Sequence, residues 1–188
     1  MALGLKLSEV SWVYMLTVFV VVYATTKLNL PKQMMLDAVM YAALLELVSL
    51  PLFGLISDKI GRRPLFILGA LFTIGYAFPL FWLIESKNTI LIFMAIMIAM
   101  NFGHGMMFGT ESCYFPELFG PRVRYSGASF GFQLSAALGG GFAPIIATAL
   151  VGYFGGTSGV SIMMIALALI TLAAALAARE TSGASLIE

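Results

Sequence analysis

The sequence predicts an all-α, integral membrane bundle of six helices, and three observations predict it. Of 188 residues, 61% are hydrophobic and only 10% are charged, where an ordinary soluble domain carries about 45–50% apolar and about 25% charged residues. The apolar residues fall in runs of the roughly 20 residues that a bilayer crossing needs. The charged residues gather in short stretches between those runs. One soluble core of this size cannot hide so much apolar surface. Lys+Arg 10 against Asp+Glu 9 excludes a basic nucleic-acid binder, and the apolar content excludes a disordered chain. Cys113 is the only cysteine, so neither an intrachain disulfide nor a cysteine metal site can form. No metal and no cofactor are expected.

At roughly 30 residues per helix and connection, the length allows about six spans. The first covers about 2–27. Its apolar start is like a signal peptide, but Glu9 interrupts it and no small-x-small cleavage site follows promptly, so it reads as a membrane helix. Asn29, Pro31 and Lys32 make a turn. The second span covers about 35–56 and carries one acid, Glu46. Ser57 to Pro64 is a short charged loop. The third covers 65–84, closed by Glu85, Lys87 and Asn88. The fourth covers 89–115, and Pro116 to Arg124 forms a second charged loop. From Tyr125 to Ala178 no residue is charged, and those 54 residues are too many for one crossing. Gly152 to Gly159 (GYFGGTSG) divides them into a fifth span, 126–151, and a sixth, 160–178.

Positive charge in short loops favours the cytoplasm. Lys59, Arg62, Arg63, Arg122, Arg124 and Arg179 fall on one side, joined by Lys6; Lys27, Lys32 and Lys87 fall on the other. Seven against three places both termini in the cytoplasm.

The first charged loop reads Gly54-Leu-Ile-Ser-Asp58-Lys-Ile-Gly61-Arg62-Arg63-Pro64. It must reverse the chain in few residues. Gly54 admits a neighbouring helix, and Gly61 permits a turn closed to most residues. Asp58 can accept from N–H groups at a helix N-terminus, where the macrodipole favours an anion. Arg62 and Arg63 face headgroups or pair with acids, and Pro64 suits a first helical turn. This G-x-x-x-D-x-x-G-R-R spacing resembles the loop signature of the major facilitator superfamily, which lies between helices two and three with a weaker copy between helices eight and nine. A second stretch, Pro116-Glu117 through Arg122 and Arg124 into Gly127, Gly131, Gln133 and Gly139 to Pro144, is similar to the helix-ten to helix-eleven region of the metabolite:proton symporter branch.

The resemblance covers nearly the whole chain, but only as the second half of a twelve-helix fold. It implies a proton-coupled symporter of a small polar metabolite, such as an organic acid or a proline- or betaine-like solute, in the inner (plasma) membrane. It also implies no enzyme activity, the proton as coupling ion, and two partners besides lipid: the metabolite, and either a missing N-terminal six-helix half or a second copy. The alternatives are a non-transporting relic or interaction protein, and a six-span carrier working as a homodimer.

Several buried residues are candidates for transport or for packing. Gly127, Gly131, Ser135, Gly139, Ala143 and Ala147 recur every fourth position and let another helix approach closely. Pro144 removes a backbone bond and bends the fifth helix. Asn101, His104 and Glu111 share one face of the fourth helix. Polar groups at depth face a cavity or the bundle interior, and a histidine can relay a proton. The plainer readings are that His104 bonds a neighbouring helix and Glu111 lies near the cytoplasmic surface. Glu46, ionised at the midplane, would cost roughly 2.5–3.5 kcal/mol, so it must find a partner, water or a proton. Gln133, Tyr14, Tyr23 and Tyr41 are further cavity candidates. Gly127-Ala-Ser129-Phe-Gly131 matches a hydrolase nucleophile elbow, but without a later histidine or a strand context the match is accidental. The methionines are packing residues.

Overall fold

The computed structural model describes residues 2–119 and 123–182. Within them the chain forms six helices long and apolar enough to cross a membrane: α1 (Leu3–Thr26), α2 (Lys32–Ile60), α3 (Arg62–Glu85), α4 (Thr89–Glu117), α5 (Tyr125–Phe154) and α6 (Ser158–Ala177). Local chemistry sets several boundaries. Asn88 caps α4, its side-chain oxygen accepting from the N–H groups of Ile90 and Leu91, which a helix start otherwise leaves unsatisfied. Pro31 holds an extended backbone before α2. Gly155 ends α5 at φ 71°, the left-handed conformation that favours glycine.

The first charged loop contracts to a single residue. α2 continues through Ile60 and α3 begins at Arg62, with Gly61 alone between them at φ 103°. Asp58 therefore lies in the last turn of α2 and Arg62 and Arg63 in the first turn of α3. The charges sit on helix ends because a helix satisfies its own backbone bonds in an apolar setting, whereas an open loop does not. α4 likewise runs through Pro116 to Glu117, two residues past the expected end.

α1 is the inner helix. Of its apolar window 61% is buried, against 17% for α2. Trp12 is fully buried and donates its indole N–H to the carbonyl of Ala99 on α4 at 2.7 Å. Thr171 of α6 donates to Gly4 O at 2.7 Å and accepts from the Ser8 N–H at 3.1 Å, joining α6 to α1. The small-residue stripe of α5 packs on α1: a Cβ on Gly139 would lie 2.7 Å from Ser11 Oγ, and one on Gly140 would lie 2.7 Å from Tyr14. Gly131, Ser135, Ala143 and Ala147 are buried along the same stripe. Gly127, at its end, instead meets the ring of Phe119. Gly54 has only ordinary contact with α4, 3.5 Å from Gly109 O. The close approach of α2 and α4 depends on Gly109, where a Cβ would stand 2.7 Å from the Leu50 carbonyl.

Three helices contain a wide π-helical stretch: Met15–Phe19 in α1, Ala99–His104 in α4 and Ala136–Phe142 in α5. Val20 N–H reaches Met15 O and Gly105 N–H reaches Met100 O, the five-residue step of a π turn. The bend assigned to Pro144 is preceded by such a stretch. Wide turns of this kind occur at functional sites far more often than their rarity would give, and one of these ends at His104.

Candidate functional site

Five ionisable residues from three helices meet inside the bundle. His104, at the end of the wide turn in α4, places Nδ1 2.7 Å from Glu46 Oε1 of α2 and Nε2 2.9 Å from Glu9 Oε1 of α1. Lys6, one turn before Glu9, reaches Glu9 Oε2 at 2.6 Å and both oxygens of Glu111 at 2.9 and 3.0 Å. The order Glu46–His104–Glu9–Lys6–Glu111 is thus continuous. None of the five side chains is more than 9% exposed. Burying such charges costs several kcal/mol each unless every one is paired.

Geometry fixes something about the protons. A neutral imidazole donates through only one nitrogen. Here both ring nitrogens face carboxylate oxygens, so either the ring is an imidazolium or one of the two carboxyls carries a proton. Three acids against one lysine and one imidazole leave the cluster with an excess negative charge that a further proton would cancel. Phe108 stacks on the imidazole at 5.0 Å between ring centres, and the Lys6 ammonium sits 4.1 Å from the centre of the Phe132 ring. Both contacts suit cations.

The cluster opens toward a cavity of about 360 Å³ between α4 and α5, lined by Phe108, Glu111, Ser129, Phe132 and Gln133 among others. The rise of an α-helix puts Glu111 roughly 10 Å along α4 from His104. The chain of groups therefore connects a deep point of the bundle to this cavity.

Asn101, His104 and Glu111 do share the inner face of α4, but they serve different partners. Asn101 accepts from Ser49 Oγ at 2.6 Å and donates to Ala42 O, tying α4 to α2. Glu111 is buried among protein groups, six residues before the end of α4 at Glu117. Gln133 lines the cavity. Tyr23 bonds Glu85 at 2.9 Å near the opposite end, while Tyr14 and Tyr41 are 40% and 50% exposed. Ser129, of the elbow-like motif, stands on a helix.

Lys6 is a correction. Counted among the charges on the basic side, it is 1% exposed and belongs to the buried cluster; six against three remain. Neither Lys6 nor Glu9 was a site candidate. Their spacing of three was the available signal, because two opposite charges one turn apart in a membrane helix call for buried partners.

A second constellation holds the basic end of the bundle. Arg62 Nε lies 2.7 Å from Glu117 Oε2, and its Nη2 lies 3.3 Å from Asp58 Oδ1. Arg63 donates to the carbonyls of Ala175 and Leu176 at 3.0 and 2.6 Å, where the last turn of α6 leaves them free. Among the described residues Asp58 caps no helix N-terminus. Glu180 takes that part, accepting from the Arg62 and Arg63 N–H groups at 3.0 Å each. A Cβ on Gly61 would come 2.8 Å from Glu180 Oε2, so the glycine makes room for the cap as well as the turn. Arg122 lies outside the described residues, and of Arg124 only the backbone, at the start of the fifth helix, is described. Among the described residues no group of acids, histidine and cysteine is arranged to hold a metal.

Partial burial pushes the Glu180 carboxyl up, but the N–H groups of Ser182, Arg62, Arg63 and Thr181 outweigh it and hold it below its ordinary value. A depressed carboxyl stabilises the fold above its unfolded value and loses that contribution as pH falls through the folded one. Glu180→Ala should therefore cost about 1 kcal/mol at neutral pH. Melting in detergent checks this, and the difference from wild type should vanish in acid.

The described residues thus form a six-helix bundle of membrane-spanning length with a buried ionisable chain that ends at a cavity. Residues 3–186 match the Major Facilitator Superfamily, and the chain belongs to it. The shikimate transporter of Escherichia coli is 35% identical over 97% of this chain and 42% of its own length. The inner membrane metabolite transport protein YhjE of the same organism is 34% identical over 92% of this chain and 40% of its own. The citrate-proton symporter of Klebsiella pneumoniae is 29% identical over 76% and 32%. The chain thus spans less than half the length of these relatives. It is a multi-pass inner-membrane protein. No solved structure matches it.

Proposed function

We propose that the chain is the second six-helix half of a proton-coupled symporter for a small polar metabolite, with both termini cytoplasmic. The observation that carries this reading is the chain Glu46–His104–Glu9–Lys6–Glu111, which gives protons a buried path between α2 and the cavity. Substrate in such carriers binds near the midplane between two halves that rock against each other. Here the cavity between α4 and α5 supplies one wall. The stripe of α5 on α1 supplies a contact with few side chains to interlock, suited to small movements. The relatives named for shikimate and for citrate with protons support an organic acid as the solute.

The broad exposed apolar faces of α2 and α5, such as Leu47, Val48 and Leu55 or Phe130 and Ile145, suit lipid on one side and a first half on the other. The experiment is uptake of labelled shikimate and citrate into proteoliposomes, with this chain alone and together with a separately expressed six-helix first half. Uphill uptake is expected only with both halves and should stop when the proton gradient collapses. Uphill uptake by this chain alone would establish the homodimer instead, and no uptake in either case would establish the relic.

A further inference from the structure

We propose that Lys6 is the anchor for a carboxylate group of the transported solute, and that Glu111 is the internal carboxylate that occupies Lys6 until a proton neutralises it. The inference rests on the symporter reading above and adds to it a named anchor and an exchange.

Four observations converge. Among the described residues, Glu111 is the one charged residue that lines the cavity between α4 and α5. Both of its oxygens lie on the Lys6 ammonium, at 2.9 and 3.0 Å. The same ammonium stands 5.0 and 4.1 Å from the ring centres of Phe108 and Phe132, and both rings line that cavity. Lys6 is therefore in contact with three lining residues of the cavity, from both of its walls, and stands directly behind them, almost wholly buried. The cavity is also within the size range of small-molecule sites, and Ser129 and Gln133 offer polar contacts to the rest of a hydroxylated or amidated solute.

The exchange balances. A proton from the cavity adds to a Glu111 oxygen, and the neutral carboxyl loses its hold on the ammonium. The solute carboxylate then takes the place of the Glu111 carboxylate as the counter-ion of Lys6, with Glu9 Oε2 holding the other side at 2.6 Å. One proton and one carboxylate enter together, so the net charge in the apolar interior does not change. That is the condition under which a buried ion pair can be remade at small cost. Entry of the anion without the proton would leave three carboxylates around one ammonium.

The titratable groups facing Glu111 are few. Lys6 and Glu9 come from α1 and His104 from its own helix, with Glu46 of α2 beyond the imidazole. α5 presents the neutral Gln133 and Ser129, and α3 has no charged residue between Pro64 and Ile84. Glu111 thus shares the Lys6 ammonium with Glu9. A proton on either neighbouring acid would shift this balance, which links the exchange to the relay.

The test uses the full chain in lipid nanodiscs, with benzoate as the carboxylate probe and benzamide as its neutral counterpart. Glu111→Gln mimics the protonated acid, so at about pH 8 it should bind benzoate about tenfold tighter than wild type or better. It should leave benzamide unchanged. The wild type should tighten toward the Glu111→Gln affinity as the pH is lowered from about 8, and Glu111→Gln should not. The double variant Lys6→Gln/Glu111→Gln removes both ends of the pair without orphaning either, and it should lose the benzoate preference. Lys6→Arg/Glu111→Gln should keep it. Equal benzoate affinity in wild type and Glu111→Gln, or a benzoate preference that survives in the double glutamine variant, overturns the proposal. If Glu111→Gln does not fold, the wild-type pH comparison decides, and no tightening in acid counts against it. The symporter reading fails on a different result, uptake indifferent to the proton gradient, which leaves benzoate binding untouched.

Discussion

Lys6→Met is expected to destabilise the bundle by roughly 3–5 kcal/mol, the cost of removing one partner from a buried ion pair. The reason lies in what remains. Glu9 and Glu111 both lose the cation they share, at 2.6 Å and 2.9 Å, and neither can turn to water from a site where it is at most 4% exposed. Adding Glu111→Gln to this variant should recover a large part of the loss, because Glu9 then keeps His104 as its single partner. Unfolding of the purified chain in mixed micelles measures both, and the coupling between the two sites is the readout. Losses that simply add would mean that Lys6 acts through packing on Phe108 and Phe132 alone.

The second large effect is on coupling. Glu46→Gln and His104→Asn each break the path at its inner end, while leaving the cavity residues in place. Uphill, proton-driven uptake by the assembled carrier should fall about 5- to 150-fold, the range of a coupling free energy of about 1–3 kcal/mol. Exchange of labelled for unlabelled solute should change much less, since it needs no net proton movement. The comparison is made across about pH 5.5 to 8, where a histidine ordinarily titrates. Wild-type uptake from both variants over that whole range would reduce Glu46 and His104 to struts between α2, α4 and α1.

Much of the fold was legible because a membrane helix announces itself. An apolar run of about 20 residues has few alternatives once it must satisfy its backbone bonds without water, and six such runs were visible in the sequence. The boundaries were less legible. Reading charge as loop cut α2 short at 56 and α4 at 115, whereas α2 continues past Asp58 and Lys59 to Ile60 and α4 continues to Glu117. Long charged side chains reach past the end of an apolar segment, so the helix need not stop where the charge begins. The face shared by Asn101, His104 and Glu111 was also legible, since spacing alone sets it.

The pairing was not. Lys6 and Glu9 looked like the polar edge of the first helix because a one-dimensional reading places a charge near a chain start at the membrane surface. In the structure α1 is the helix most surrounded by others, and its early turns face α4 and α5. Similarly, Asp58 and Glu180 are each acids near a helix end. Only the return of the chain after α6 to the start of α3 decides that Glu180 does the capping, while the pair of Asp58 with Arg62 follows from their spacing of four. The sequence by itself determined the solvent of this protein, the number of its helices and the family signature at their ends, because those follow from composition and from spacing within one segment. Which acid meets which base on another helix was decided by the tertiary structure alone. A buried charge is settled by whatever partner the packing brings within about 3 Å, and residues 58 or 105 positions apart, as in Glu46 with His104 and Lys6 with Glu111, carry no mark in the sequence of that distance.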